Sequence, residues 1–223
     1  MQLQLLSIKE LMEESEESKK TPLGLRQMAL RKIDEHRREK VLLLKSDVAI
    51  CQALGAGLLL QLAAQGKERR VWSVAEALEV LDEPVQIEYV YGAHGKPDFA
   101  DLSRHFNLSH SGEYIVLVTD EHPVGVDIQN MRPLKNYHLA ERYFSEKELS
   151  KLEVCATASE KVECFYDIWV KKESYAKLTG EGIGLTIKFD TEDADLQVCW
   201  HAFEAPEGYR LAVCSNLSDK KEM

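Results

Sequence analysis

The sequence predicts an α+β fold. Helical signals gather in groups between strand-like runs, strand periodicity appears near both ends and in the middle, and no repeat, low-complexity linker or coiled coil interrupts the chain. At 223 residues with 44% hydrophobic content, the chain is long enough for one compact domain or two small ones sharing a core.

Leu3 to Ile8 reads as a first strand, and the acidic Glu10 to Glu17 region as a solvated helical or loop segment. Pro22 opens a helical stretch reaching about Lys45, followed by the apolar helix Val48 to Ala64. That helix is short for a membrane span and is broken by Gln52, Gly55, Gly57 and Gln61, so burial in a protein core explains it better. Ser73 with Glu76 forms a capping box that starts a third helix ending before Pro84. Val85 to Val90 alternates as a strand, Tyr91 to Ser103 reads as a loop rich in Gly and Pro, and Phe106 to Gly112 leads into a strand at Tyr114 to Thr119. That strand and Val124 to Gln129 are predicted to form a hairpin through Asp120 to Pro123. Ser145 and Glu148 make a second capping box, a helix from Val162 to Leu178 stops at Gly180, and strands are predicted at Thr186 to Phe189, Leu196 to Phe203 and Arg210 to Cys214.

A net charge of −10 argues against general nucleic-acid or anionic-membrane binding, because a polyanion gains no counterion release from an acidic partner. Any phosphate site must therefore be local, and the most basic stretch is Arg31 to Lys40. Five cysteines, odd in number and without CxxC spacing, read as reduced structural thiols of a cytoplasmic protein. The N-terminus shows no basic segment followed by an apolar run and cleavage site, so no secretory signal is expected.

Three places carry chemistry. At about 100° per residue, Val162, Phe165, Trp169 and Ala176 share a helix face whose centre is Glu173, with Lys177 one turn on. A carboxylate at a core-facing position usually has a cation or metal beside it; the plainer alternative is a surface Glu173 to Lys177 pair. In Val124 to Gln129, Asp127 and Gln129 point the same way, with α-carbons about 6 to 7 Å apart, so their oxygens can converge on a hard cation. Gly125, on that face, would leave room for a ligand; a solvated strand face is the alternative. Ser109, His110 and Ser111 cluster donors beside Gly112, in a form suited to phosphate oxygens.

Together GKP at 95–97, FNLSHSG at 106–112, VGVDIQ at 124–129, RYFSEKEL at 142–149 and WVKKESYAKLTGEG at 169–182 resemble, in order, the signatures of Sfp-like 4′-phosphopantetheinyl transferases. The resemblance implies two similarly folded halves, residues 1–121 and 122–223, packed about a pseudo-twofold with the active site between them. It implies a magnesium-dependent enzyme that moves the phosphopantetheine arm of coenzyme A to a serine of an apo acyl or peptidyl carrier protein and releases 3′,5′-ADP. By the same carry-over, Asp127, Gln129 and Glu173 hold magnesium, Glu173 and Lys177 act on the reacting groups, and Lys96, Ser109, His110 and Lys172 meet coenzyme A. Arg37 and Lys40 fall near the positions that meet the 3′-phosphate, whereas the arginine many relatives carry near Cys51 and Gln52 is missing. The protein is expected to be a monomer. A catalytically impaired coenzyme A- or carrier-binding protein is the alternative from another class, and an unrelated metal-dependent phosphodiesterase fits the carboxylates but not the other motifs.

Overall fold

A computed structural model of the protein describes residues 1–14, 16–18, 21, 24–134, 138–182 and 189–217. The mixed α+β class holds, in four layers. The first sheet has the order β2-β1-β6-β5, built from β1 (Gln2–Ser7), β2 (Val71–Ser73), β5 (His105–Ser111) and β6 (Tyr114–Asp120). The second runs β7-β9-β8, from β7 (Val124–Asn130), β8 (Val198–His201) and β9 (Tyr209–Asn216).

Alternation along β1 and β6 divides the first sheet between two cores. Leu6, Ile8, Ile115 and Leu117 pack with Leu11 of α1 (Lys9–Glu13) and against the helices α2 (Leu25–Lys32), α4 (Asp47–Ala64) and α5 (Val74–Val80). Leu3, Leu5, Val116 and Val118 pack against Val124, Val126, Ile128 and Val213 of the second sheet. The outer face of that second sheet is covered by α8 (Ala158–Thr179), itself flanked by α6 (His138–Tyr143) and α7 (Glu146–Glu153).

The predicted hairpin of Tyr114–Thr119 with Val124–Gln129 is corrected here. β6 pairs with β1 and β5, β7 pairs with β9, and residues 121–123 carry the chain from one sheet to the other. Alternation reports which face of a strand is buried, not which neighbour it has, and these two strands stack face to face rather than edge to edge. Three further expectations shift. The helix predicted from Pro22 to Lys45 is two helices, α2 and α3 (Glu35–Leu42), because the Asp34 carboxylate caps a fresh N-terminus by accepting from the Arg37 N–H. The loop predicted from Tyr91 contains a hairpin of β3 (Tyr89–Tyr91) with β4 (Pro97–Phe99), and Val85 to Glu88 before it is not strand. Phe106 to Ser111 is itself a strand. Most of the predicted strand Thr186 to Phe189 lies outside the described residues.

The capping boxes at Ser73 and Ser145 form as the spacing predicts, a third forms at Thr157, and Gly180 ends α8 in the left-handed region at φ 74°. Helix α4 is long and apolar enough to cross a membrane, yet Leu58, Leu59, Leu60 and Leu62 are wholly buried in the first core. All five cysteines are free.

Lys172 departs from its expected place. It is 1% exposed, its Nζ donates to Glu148 Oε2 at 2.8 Å and to the Phe189 carbonyl, and it lies over the Phe189 ring. Glu148 is fully buried and also accepts from Ser145 N, Thr191 N and Thr191 Oγ1, so the pair ties α7, α8 and the segment at 189–191 together. Lys172 is a core residue, not a phosphate contact. Removing one partner strands the other charge, so Lys172→Met should cost about 3–5 kcal/mol of stability, read as a lower denaturant midpoint at unchanged slope.

Candidate active site at the junction of the sheets

Strand β7 lies at an edge of its sheet, and its free backbone groups find partners in side chains instead of a neighbouring strand. Asn107 Oδ1 accepts from Val126 N at 2.9 Å, Ser109 Oγ from Ile128 N at 3.3 Å and Ser111 Oγ from Asn130 N at 2.9 Å. These three alternate residues of β5 share one face, so the strand offers the other sheet an acceptor every second residue. Lys96, from the turn of the β3–β4 hairpin, donates to the Val124 carbonyl at 3.2 Å and to the Leu178 carbonyl at 3.4 Å.

Against this strand lies α8, and Gly125 sets how near it comes. A methyl group there would overlap the Ser174 carbonyl oxygen and crowd the Leu178 N–H. The expectation that Gly125 leaves room for a ligand is thereby corrected: the space is filled by helix backbone. The close approach brings Lys177 to Asp127, the next residue but one along the same strand face.

Asp127 is 2% exposed, and its Oδ1 accepts from Lys177 Nζ at 2.7 Å and from Ser109 Oγ at 2.7 Å. Lys177 Nζ also donates to Ser109 Oγ at 2.8 Å, so that hydroxyl has its donor and both acceptor positions in use. Ser109 therefore positions Asp127 and Lys177, and its hydroxyl is not free for a phosphate as the motif suggested. Gln129 Nε2 donates to Asp127 Oδ2 at 3.1 Å. Glu173 is half-buried nearby, and its pKa is raised, first by burial and then by the charge of Asp127, with Lys177 opposing. Lys177 thus reaches across to the strand instead of making a surface pair with Glu173.

His110 exposes part of its ring; burial of the remainder, then the charge of Lys177, lower its pKa, so a neutral imidazole stands at the rim. Burial also lowers the pKa of Lys96. Arg37 and Lys40 lie on α3, away from these carboxylate contacts: Arg37 stacks on the Tyr89 ring, and Lys40 Nζ donates to Tyr91 Oη at 3.1 Å. His36 Nε2 meets the same hydroxyl at 2.6 Å. The motifs missed His36, Tyr89 and Tyr91, although the i, i+4 spacing of His36 and Lys40 already placed both on one helical face. The hairpin that presents the two tyrosines also presents Lys96, which links this basic cluster to the carboxylates.

Asp127 and Glu173 are the carboxylates that could hold a small divalent cation, whereas the Gln129 amide turns its NH₂ group rather than its carbonyl oxygen toward Asp127. The like charges that raise the pKa of Glu173 are an electrostatic reason for a cation to bind there. No group of three or more His, Cys, Asp or Glu side chains converges among the described residues. A cavity of 460 Å³ between the end of α4 and the segment 85–104 is lined by other residues, Val85, Ile87, Phe99 and Arg104 among them.

The family model described as the 4′-phosphopantetheinyl transferase superfamily matches residues 123–214, which contain β7, α8 and most of β9. The chain is 36% identical over 143 residues to the 4′-phosphopantetheinyl transferase ffp of Bacillus subtilis, covering 58% of this chain and 63% of that protein. It is 32% identical over 143 residues to the transferase Sfp of Bacillus subtilis strain 168, with the same coverage. To the transferase AcpT of Escherichia coli K12 it is 34% identical over 157 residues, 69% of this chain and 78% of that protein. The chain thus spans 63% of the length of the first two relatives.

Gly125→Ala should lower stability by at least about 2 kcal/mol, since backbone cannot yield as a side chain end can; a thermal melt checks it. Glu173→Gln should raise the melting temperature of the ligand-free protein near neutral pH. A carboxyl whose folded pKa is raised stabilises the fold while protonated, and that contribution is lost as pH rises from the ordinary 4.5 through the raised value. The gain over wild type should therefore vanish in melts at acidic pH.

Proposed function

The chain belongs to the 4′-phosphopantetheinyl transferase superfamily, and from that premise we propose that it transfers the phosphopantetheine arm of coenzyme A to a serine of an apo carrier protein, acyl or peptidyl. The observation that carries the reading is the group of Asp127, Ser109 and Lys177, joined by bonds of 2.7 to 2.8 Å beside a half-buried Glu173.

The incoming serine oxygen forms a bond to the pyrophosphate phosphorus that carries the arm, and the bond from that phosphorus to 3′,5′-ADP breaks. Glu173 takes the serine proton; burial and the charge of Asp127 raise its basicity in the ligand-free chain, and a cation bound beside it would oppose that shift. Lys177, 29% exposed at its side chain, neutralises and protonates the departing phosphate. Asp127 and Glu173, with Gln129 once its amide turns its oxygen inward, are the residues that would hold magnesium, which would supply charge neutralisation on the pyrophosphate. His110 and Lys96 face the polyphosphate, and Arg37 and Lys40, with His36, receive the 3′-phosphate.

The proposal extends to a pseudo-twofold relation between residues 1–121 and 122–223 and to a cytoplasmic monomer. Two sheets each backed by helices support the first of these, and cysteines that stay free support the cytoplasmic location. An acidic chain offers nucleic acid or an anionic membrane no electrostatic attraction.

Incubating apo-carriers with coenzyme A, magnesium and the protein tests the reading by intact-mass spectrometry. A mass gain of one phosphopantetheine arm is expected on at least one carrier, and no gain on acyl and peptidyl carriers alike would overturn it. Glu173→Gln should abolish the gain, whereas Lys177→Ala should lower kcat more than it raises KM, because the lysine acts on charge that develops at the leaving group.

A further inference from the structure

Every oxygen of Asp127 is already occupied in the ligand-free chain. Oδ1 accepts from both Lys177 and Ser109 at 2.7 Å, and Oδ2 accepts from the Gln129 amide nitrogen at 3.1 Å. A carboxylate that is 2% exposed has few other lone pairs to offer. The Gln129 amide is also set against a metal: with its NH₂ group bonded to Asp127, its carbonyl oxygen is turned away from the carboxylate. The ammonium of Lys177 therefore stands where a cation bound to Asp127 Oδ1 would stand.

We propose that Lys177 is a latch on the metal site, a built-in counter-ion that bars a free divalent cation from Asp127 until an anionic polyphosphate draws the lysine away. The inference rests on the metal-binding reading given under the proposed function. A divalent cation entering with the latch closed would share one buried oxygen with an ammonium, and the repulsion between the two would offset much of the attraction to the carboxylate. Lys177 can move, because its side chain is 29% exposed and ends a flexible four-carbon stem. Its second anchor, Ser109, stays bonded to Asp127 and Ile128 when the lysine leaves, so opening the latch does not unmake the sheet junction. Polyphosphate and metal then strengthen each other's binding, by ligation and by removal of the competing charge, and that coupling is reciprocal.

Manganese is the probe, with free Mn²⁺ followed by electron paramagnetic resonance in titrations of wild type, Lys177→Met and Lys177→Gln, each with and without coenzyme A. Mn²⁺ bound by coenzyme A alone is subtracted from a protein-free titration. Without coenzyme A, Lys177→Met should bind Mn²⁺ roughly tenfold or more tightly than wild type, since a cation within contact distance has been removed. Coenzyme A should tighten Mn²⁺ binding by a larger factor in wild type than in Lys177→Met, which has no latch to open. Lys177→Gln keeps a donor for Asp127 without the charge, and carries the test if the methionine variant melts early. Wild type that binds Mn²⁺ with coenzyme A, alongside variants that bind it no tighter than wild type without coenzyme A, would overturn the latch and leave the metal reading standing. Wild type that fails to bind Mn²⁺ even with coenzyme A would overturn both.

Discussion

The junction between the sheets depends on an edge strand whose backbone is satisfied by side chains. Unpaired N–H groups in a buried place cost on the order of 1–3 kcal/mol each, so β7 could not lie where it does without Asn107, Ser109 and Ser111. Those residues do more than hold two sheets together. The middle one, Ser109, turns the junction into a site, because the same hydroxyl that accepts from Ile128 N also donates to Asp127 and accepts from Lys177. Architecture and chemistry share one oxygen atom.

The second constraint is the closeness of α8 to β7. Gly125 admits the helix backbone, and the Lys96 ammonium bridges the Val124 carbonyl and the Leu178 carbonyl near the helix end, where backbone oxygens lack helical partners. On the far side of the helix the buried Lys172–Glu148 pair fixes α7 and the segment at 189–191. Helix α8 is thus held on two faces, and Glu173 and Lys177 project from a rigid element. That placement suits groups whose action depends on position more than on intrinsic reactivity.

The charge arrangement follows from the same packing. A chain of net charge −10 gathers its cations locally, with His36, Arg37 and Lys40 around Tyr89 and Tyr91, and Lys96 at the turn of the same hairpin. The hairpin connects the helical half to Asp127 on β7 and Glu173 on α8, so the cationic cluster and the carboxylates come from different cores. A substrate carrying both a terminal phosphate and a pyrophosphate bridged by metal would meet both sets.

Periodicity and capping were enough to determine, from the sequence alone, the mixed class, the core helix α4, the boxes at Ser73 and Ser145, and the end of α8 at Gly180. Asp127, Glu173 and Lys177 were legible too, because a carboxylate in an apolar helical stripe and another on an alternating strand are local anomalies. Partners across space were not. Residues Tyr114–Thr119 and Val124–Gln129 looked like a hairpin because alternation carries no record of which neighbour a strand takes, and only the stacking of two sheets decided otherwise. Gly125 read as open space, and Ser109 and Lys172 as contacts to coenzyme A, whereas tertiary packing filled the first, engaged the second and buried the third. In each case the chain records the type of group, while its role is set by the few ångströms between segments distant in sequence, which only the folded arrangement specifies.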